Sequence, residues 1–237
     1  MMTITIKKMV QKGLHFGHSR QAWNPKMTPY IYMESNNIHI IDLIQTYYHL
    51  KQALQFLVKS TSQGKTILFV GTKRQSSKLV EKIAKNCNSF FVTERWLGGL
   101  LTNWLTVQKS ISKLNELEAR EKKDAFYGLQ KKEIIALKKE KNRLNKYLGG
   151  LKKMRYLPDI VIIIDQKREM NAVLECKKLG IRSITILDTN GDPSLADLFI
   201  PANDDSIISL QFILNEFLKY IRYGQRKFYK YKSKQRC

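Results

Sequence analysis

The chain has 237 residues, 43% of them hydrophobic, so it can bury a core, and its composition excludes a largely disordered protein. The 42 Lys and Arg against 20 Asp and Glu give a net charge of +22, which predicts an anionic partner, nucleic acid first and a membrane surface second. Three widely spaced cysteines give neither a disulfide framework nor a zinc pattern. No signal peptide or membrane-spanning run of ~20 apolar residues is found, so we expect a soluble protein that works where it is made.

Short apolar runs alternate with helical patterns along most of the chain. In the first part of the chain, the patterns predict a short helix over 5–12, a hairpin of strands over 30–33 and 38–41, and a helix from Asp42 to Gly64. Strands over 66–70 and 89–92 then stand on either side of a helix near 77–85. In the last part, a strand over 160–164, a helix over 168–179, strands over 184–187 and 199–200, and a closing helix over about 204–223 are predicted. Because the strands are apolar throughout, both faces of their sheet must be covered. We therefore predict an α/β fold with a doubly wound, mainly parallel five-stranded sheet of the Rossmann or flavodoxin-like kind.

The middle of the chain departs from this alternation. Two helical patterns, over 102–123 and 131–148, flank a break at 126–128, and each has a narrow apolar stripe suited to a two-helix coiled-coil hairpin. Residues 105–155 hold 15 Lys and Arg against 6 Asp and Glu. The predicted organisation is a discontinuous α/β domain (1–101 and 151–224), a protruding hairpin inserted at 102–150, and a basic tail at 225–237.

Several basic positions are candidates for contact with phosphate. Lys73 and Arg74 follow a strand and open a helix, where backbone N–H groups attract anions, but the segment lacks the second glycine of a P-loop. Neither a dinucleotide fingerprint nor a nucleophile elbow occurs. The RNA-binding candidates are Arg20, Lys26, Lys73, Arg74, Arg95, Lys152, Lys153 and Arg155. The tail, whose basic residues alternate with tyrosines, is also suited to RNA.

A group of acidic residues follows the last strands. Asp188, Asp192, Asp204 and Asp205, with His18 from the segment Gly13-Leu-His-Phe-Gly-His, have the donor atoms to bind a structural divalent cation. The alternative is that these aspartates cap helices and fix turns. Neither reading predicts catalytic residues.

Several motifs, in order, resemble one family. The motifs are Gly13-Leu-His-Phe-Gly-His, Trp23-Asn-Pro-Lys-Met, Ile38-His-Ile-Ile-Asp-Leu, Phe69-Val-Gly-Thr-Lys-Arg-Gln, Arg95-Trp-Leu-Gly-Gly-Leu-Leu-Thr-Asn, Leu157-Pro-Asp-Ile, Asp188-Thr-Asn-Gly-Asp-Pro and Ile200-Pro-Ala-Asn-Asp-Asp-Ser-Ile. They are similar to segments of the bacterial and plastid small-subunit ribosomal protein S-two family. The resemblance extends over about residues 5–220. Three features depart from it: Gln166 where the family often has proline, Gly191 where cysteine is usual, and a tail after Gly224 with no counterpart.

The resemblance implies a structural constituent of the small ribosomal subunit that binds its rRNA, contacts neighbouring ribosomal proteins and is not an enzyme. Bacterial members also help to hold a large mRNA-binding protein. For the metal, the resemblance implies a narrower ligand set: His18 with Asp188, Asp204 and Asp205. Oxygen ligands with one imidazole suit Mg²⁺ or Zn²⁺, and we expect no cofactor to be required. It implies neither a membrane nor a small-molecule substrate.

Two other functions fit parts of the sequence. One is a metal-dependent phosphoryl-transfer or hydrolytic enzyme of α/β fold, which would need a nucleotide loop or a close pair of acids. The other is a peripheral membrane protein held by the basic tail. The abundance of Lys, Ile and Asn, which have A/T-rich codons, favours a plastid (chloroplast stroma) over the alternative of a bacterial cytoplasm.

Overall fold

The computed structural model describes residues 4–122 and 130–234, so the break predicted at 126–128 lies outside the described residues. The helices are α1 (Ile6–Gln11), α2 (Leu43–Ser62), α3 (Arg74–Asn86), α4 (Trp104–Lys122), α5 (Lys131–Leu148), α6 (Met170–Leu179) and α7 (Ile207–Lys234). The strands are β1 (Phe16–Ser19), β2 (Ile31–Ser35), β3 (Ile38–Ile41), β4 (Ile67–Val70), β5 (Phe90–Val92), β6 (Ile160–Ile164), β7 (Arg182–Leu187) and β8 (Leu198–Pro201).

The main sheet has five parallel strands in the order β5-β4-β6-β7-β8. Every residue of β4 and β6 is buried, as the uninterrupted apolar runs require. One face packs against α2, α3 and α7, with Phe69 and Phe217 as its largest fully buried side chains. The other face packs against α6 and the base of α4 and α5. The predicted doubly wound α/β fold is confirmed.

A second, antiparallel sheet has the order β1-β3-β2. Its hairpin turns at Asn36 and Asn37, whose positive φ angles of 50° and 61° suit the tight turn between two antiparallel strands. The sequence predicted this hairpin but not β1. A Cβ at Gly17 of β1 would lie 2.6 Å from Thr189 Cγ2, so only glycine lets this strand lie so close to the segment after β7.

Helices α4 and α5 form the hairpin predicted between the two halves of the sheet. Ile111, Leu114 and Leu117 are its buried seam on α4. Lys113 Nζ lies 2.6 Å from Glu140 Oε1, and Lys141 Nζ lies 2.6 Å from Glu121 Oε2, so the two helices are also joined by ion pairs at the edge of the seam.

The last helix is longer than predicted. Residues 225–234, interpreted from the sequence as the start of a separate tail, continue α7 without a break. The apolar periodicity weakens after Ile221, but Phe228 closes over Gly64, the residue just beyond α2, and attaches this part of the helix to the body. Within residues 4–122 and 130–234, no helix has the combination of length and hydropathy needed to cross a membrane.

Candidate ion and RNA-binding sites

The carboxyl ends of three neighbouring strands bring four aspartates together. Asp165 follows β6, Asp188 follows β7, and Asp204 and Asp205 follow β8. The ring of His18, on β1, lies between two of them: its Nδ1 is 3.1 Å from Asp188 Oδ1 and its Nε2 is 3.4 Å from Asp205 Oδ2. Parallel strands place their carboxyl ends at one edge of the sheet, which is where a doubly wound fold forms its ligand crevice.

Lys73 supplies a positive charge inside this cluster. Its Nζ lies 3.1 Å from Asp165 Oδ2, 3.1 Å from Asp204 Oδ1 and 2.5 Å from Asp205 Oδ1. Burial lowers the pKa of this ammonium, but the three carboxylates outweigh burial and hold the pKa above its ordinary value. The ammonium of Lys73 is therefore already surrounded by carboxylates in this structure, and its contact with RNA stays a prediction.

The cluster carries an excess of negative charge. Burial and the neighbouring Asp188 and Asp165 raise the pKa of Asp204 to about 7, although Lys73 opposes the shift. The close approach of Asp188 Oδ1 to His18 Nδ1 raises the pKa of His18, against a smaller opposite effect of burial. When all four aspartates are ionised, Lys73 offsets one of their four negative charges, and a protonated His18 offsets a second. Asp165 also has a positive φ of 64°, a strained conformation of the kind that occurs at functional sites.

Two observations indicate that a cation fits here. Ligand atoms of His18, Asp188, Asp204 and Asp205 all lie within 4.8 Å of one another. Asp204 Oδ2 is buried without a hydrogen-bond partner, although a buried carboxylate oxygen is costly to leave unpaired. The side chain of Asp205 is 52% exposed, so the cluster is open to solvent on that side.

Asp192, the fifth candidate from the sequence, does not join the cluster. Its Oδ1 accepts a hydrogen bond from the backbone N–H of Ser194 at 2.9 Å, and its Oδ2 lies 2.6 Å from Lys26 Nζ. Asp192 therefore fixes a turn, as the capping alternative predicted, while Lys26 is paired within the protein. Gln166 holds the same turn: its Nε2 donates to Asp192 O at 2.8 Å, and its Oε1 accepts from Asp192 N at 2.6 Å.

A second site is a cleft of about 780 Å³ beside the carboxyl ends of β4, β5 and β6. Arg74, Arg95, Arg168 and Lys146 contribute its positive charges, and Glu94 and Glu169 its negative ones. The cleft lies between β4 and β6, where the order of strands reverses and where ligands of this fold class bind. Two RNA-binding candidates, Arg74 and Arg95, are thus brought together. Sequence reasoning missed Arg168, although its place after β6 in a doubly wound sheet would have indicated it.

The other candidates lie elsewhere. Lys152, Lys153 and Arg155 line a groove of about 630 Å³ at the base of the hairpin, and Lys152 also forms an ion pair with Glu118. Arg20, near the hairpin of the small sheet, lies 3.8 Å from Glu34 and is largely exposed. The basic candidates therefore form two groups on the body, the cleft and the hairpin base, with Arg20 and Lys26 apart from both.

Glu175 of α6 holds the segment that carries Arg95. Its carboxylate accepts hydrogen bonds from Trp96 Nε1 at 2.9 Å and from the backbone N–H groups of Gly99, Leu101 and Thr102 at 2.8–3.1 Å. Burial raises the pKa of Glu175, but these donors outweigh burial, so the pKa lies below the ordinary value of 4.5.

We expect Glu175→Gln to lower the free energy of unfolding by about 1–2 kcal/mol at pH 7, because an amide replaces an ionised acceptor of several hydrogen bonds. A carboxyl with a lowered pKa stabilises the fold above pH 4.5 and loses that effect as the pH falls through its pKa in the folded state. The difference between variant and wild type in urea unfolding should therefore shrink at pH 3. Glu81→Gln, which removes an exposed carboxylate paired with Lys85, is the control and should show neither effect. Equal stability of Glu175→Gln and wild type at pH 7 would contradict the assigned role.

These features define a basic α/β protein with an inserted helical hairpin and two positively charged surfaces. The family model described as ribosomal protein S2 matches residues 9–224, so the chain belongs to that family. It is 60% identical over 227 residues to the small ribosomal subunit protein uS2c of Oltmannsiellopsis viridis, covering 96% of this chain and 95% of that one. It is 51% identical to the protein of the same name in Chlorella vulgaris (94% and 83% covered) and 48% identical to small ribosomal subunit protein uS2 of Rippkaea orientalis (95% and 85%).

Family membership confirms the resemblance read from the motifs. The chain is a structural component of the small ribosomal subunit, and the plastid-type names of its relatives confirm the predicted plastid location. The family is not an enzyme family, and the alternative of a metal-dependent phosphoryl-transfer or hydrolytic enzyme receives no support.

Proposed function

We propose that the chain binds small-subunit rRNA through the cleft between β4 and β6 and through the groove at the base of the hairpin, and that it catalyses no reaction. The observation that carries this proposal is the convergence of Arg74, Arg95 and Arg168 on one cleft at the carboxyl ends of the strands. Guanidinium groups bind phosphate through paired hydrogen bonds, and phosphate contacts fix the position of a protein on RNA without reading its sequence. Neighbouring ribosomal proteins are the other partners, and no small-molecule substrate or membrane is required.

The test follows tagged wild type and the variant Arg74→Gln/Arg95→Gln/Arg168→Gln through sucrose gradients of a plastid extract at several salt concentrations. Wild type should sediment with the small subunit and dissociate as salt rises, because each phosphate contact releases counterions. The variant should dissociate at lower salt. Neutralising three contacts is expected to reduce the slope of log affinity against log salt by about 2, at ~0.7 per contact on single-stranded RNA.

The matched control is Lys177→Gln/Lys178→Gln/Arg182→Gln, which removes the same charge from exposed positions at the far end of α6 and the start of β7. A variant that dissociates no earlier than this control would remove the cleft from the RNA contacts. Wild type that remains at the top of the gradient at low salt would contradict binding to the subunit itself.

We further propose that His18, Asp188, Asp204 and Asp205 hold one structural divalent cation. A 2+ ion would offset most of the excess charge and would pair the orphaned Asp204 Oδ2. One imidazole with three carboxylates suits Zn²⁺ better than Mg²⁺, which prefers an all-oxygen octahedron. The ion would join β1 to the segments after β7 and β8. Metal analysis of protein purified without chelator tests its presence directly.

A further inference from the structure

The second half of α7 is fixed to the body along one face. Phe217 and Ile221 are fully buried against the core. Further along, a Cβ at Gly224 would overlap Thr61 Oγ1 of α2, so the two helices touch backbone to side chain at this point. Phe228 then covers Gly64, with ring atoms 2.7–3.3 Å from where a Cβ would stand. The apolar side of the helix is therefore occupied as far as Phe228.

Two hydrogen bonds tie the same stretch to α3. Arg222 Nε donates to Asn86 O at 2.9 Å, and Gln225 Nε2 donates to Cys87 O at 2.7 Å. Both acceptors lie at the carboxyl end of α3, whose last carbonyl groups have no partner within the helix. The direction of α7 beyond Gly224 is thus set by contacts on two helices, and its outer face has a fixed orientation.

That outer face is a stripe of positive charge. Its members are exposed, and apart from the adjacent pair Arg226 and Lys227 they are spaced three or four residues apart, which places them on one side of the helix over about 16 Å: Lys219, Tyr223, Arg226, Lys227 and Lys230. After Glu216 the sequence has eight Lys and Arg and no Asp or Glu. Lys219 has an acidic partner on α7, since its Nζ lies 2.5 Å from Glu216 Oε1. Lys227 Nζ lies 4.6 Å from the centre of the Tyr223 ring, an arrangement that keeps the charge over an exposed aromatic face.

We propose that this stripe is a further RNA-binding surface, which contacts the phosphate backbone of small-subunit rRNA separately from the cleft. The inference rests on the proposed function. Arg226, Lys227 and Lys230 can act together on a polyanion, because residues three or four apart on a helix have Cβ atoms about 5–6 Å apart, less than the ~8 Å over which physiological salt screens charge. The exposed Tyr223 adds a surface on which a base can stack. The outer half of the stripe, from Arg226 on, lies beyond the region matched by the family model, which ends at residue 224.

The contacts on α2 argue against a membrane as the partner. A helix that lies in a membrane interface inserts its apolar face among the lipids. Between Phe217 and Phe228 the apolar face of α7 is already packed against the core and α2, so along this stretch the charged face is the one that is available to a partner. A surface of lysine, arginine and tyrosine without acidic residues is complementary to phosphate and to unpaired bases.

The experiment compares three full-length proteins for binding to RNA extracted from plastid small subunits, by filter binding between 50 and 400 mM salt, a range of about one decade. They are wild type, Arg226→Gln/Lys227→Gln/Lys230→Gln, and the control Lys177→Gln/Lys178→Gln/Arg182→Gln. The α7 variant should bind less tightly than the control at low salt, with a slope of log affinity against log salt lower by about 2. Circular dichroism should show equal helix content, because the three side chains are exposed.

Equal affinity and slope for the α7 variant and the control would overturn the proposal while leaving the cleft intact. If the wild-type protein did not bind the RNA at any salt concentration, the proposed function itself would be contradicted, and not only the role of the stripe. The variant Arg226→Lys/Lys230→Arg keeps the charge and should bind like wild type. If it bound as weakly as the glutamine variant, the stripe would not act through its charge.

Discussion

Adding zinc to metal-free protein is expected to raise its melting temperature by about 5–10 °C. An ion that binds only the folded state, at a hundred times its dissociation constant, stabilises that state by about 2.7 kcal/mol. For a domain of this size each kcal/mol shifts the melting temperature by roughly 2–4 °C. The same addition should have little effect on Asp204→Asn, which loses the buried oxygen that has no partner in the protein. Differential scanning fluorimetry with and without zinc measures both shifts.

The metal-free variant provides an internal check. Asp204→Asn removes one of four clustered carboxylates, so without zinc it should unfold at the wild-type temperature or above it. If Asp204→Asn fails to respond to zinc, the cause is therefore not a general loss of stability in the variant. Glu81→Gln, which removes an exposed carboxylate from α3, should respond to zinc as wild type does. If zinc raised the melting temperature of Asp204→Asn as much as that of wild type, the proposed ligand set would be wrong.

Gly150→Val is expected to lower the free energy of unfolding by about 3 kcal/mol, the largest effect of any single substitution considered for this protein. Gly150 lies in the turn that follows α5, and this turn packs along the outer edge of β5. A Cβ there would overlap the carbonyl oxygen of Phe91, and a backbone atom in a strand cannot move aside as a flexible side chain can. Crowding a packed site typically costs ~1–3 kcal/mol, and here the edge strand itself would have to shift.

Urea unfolding of Gly150→Val beside Gly98→Ala measures this effect. Gly98 belongs to the loop between β5 and α4, and a Cβ there would have no atom within 4 Å. Gly98→Ala should change stability by less than about 0.5 kcal/mol, as substitutions on an open surface do. Similar stability of the two variants would show that the turn does not pack against β5 as described.

The parallel sheet could be predicted from the sequence because its signal is local. Residues such as Ile160–Ile164 are apolar without alternation, and only a strand covered on both faces needs that pattern. Strand β1 could not be predicted in the same way. Its sequence Phe-Gly-His-Ser has no strand pattern, and its pairing depends on β3, some twenty residues away, and on the close approach of Gly17 to Thr189.

The same distinction between local signals and packed contacts holds for the residues of the candidate ion site. The acids after β7 and β8 could be grouped in advance, because parallel topology places strand ends together. The position of Lys73 could not, since its place at the start of a helix fits an outward phosphate contact as well as an inward ion pair. The length of α7 was underestimated because the apolar period weakens after Ile221, whereas the contact of Phe228 with Gly64 depends on the packed structure.

The paired hydrogen bonds between Gln166 and the backbone of Asp192 link two of the positions at which the sequence departs from the resemblance. A Cβ at position 191 would lie 2.5 Å from Leu187 Cδ1 and 3.2 Å from Gln166 Oε1. A side chain at position 191 would therefore crowd both the packing of Leu187 and the glutamine that holds the turn, so the two positions are physically coupled.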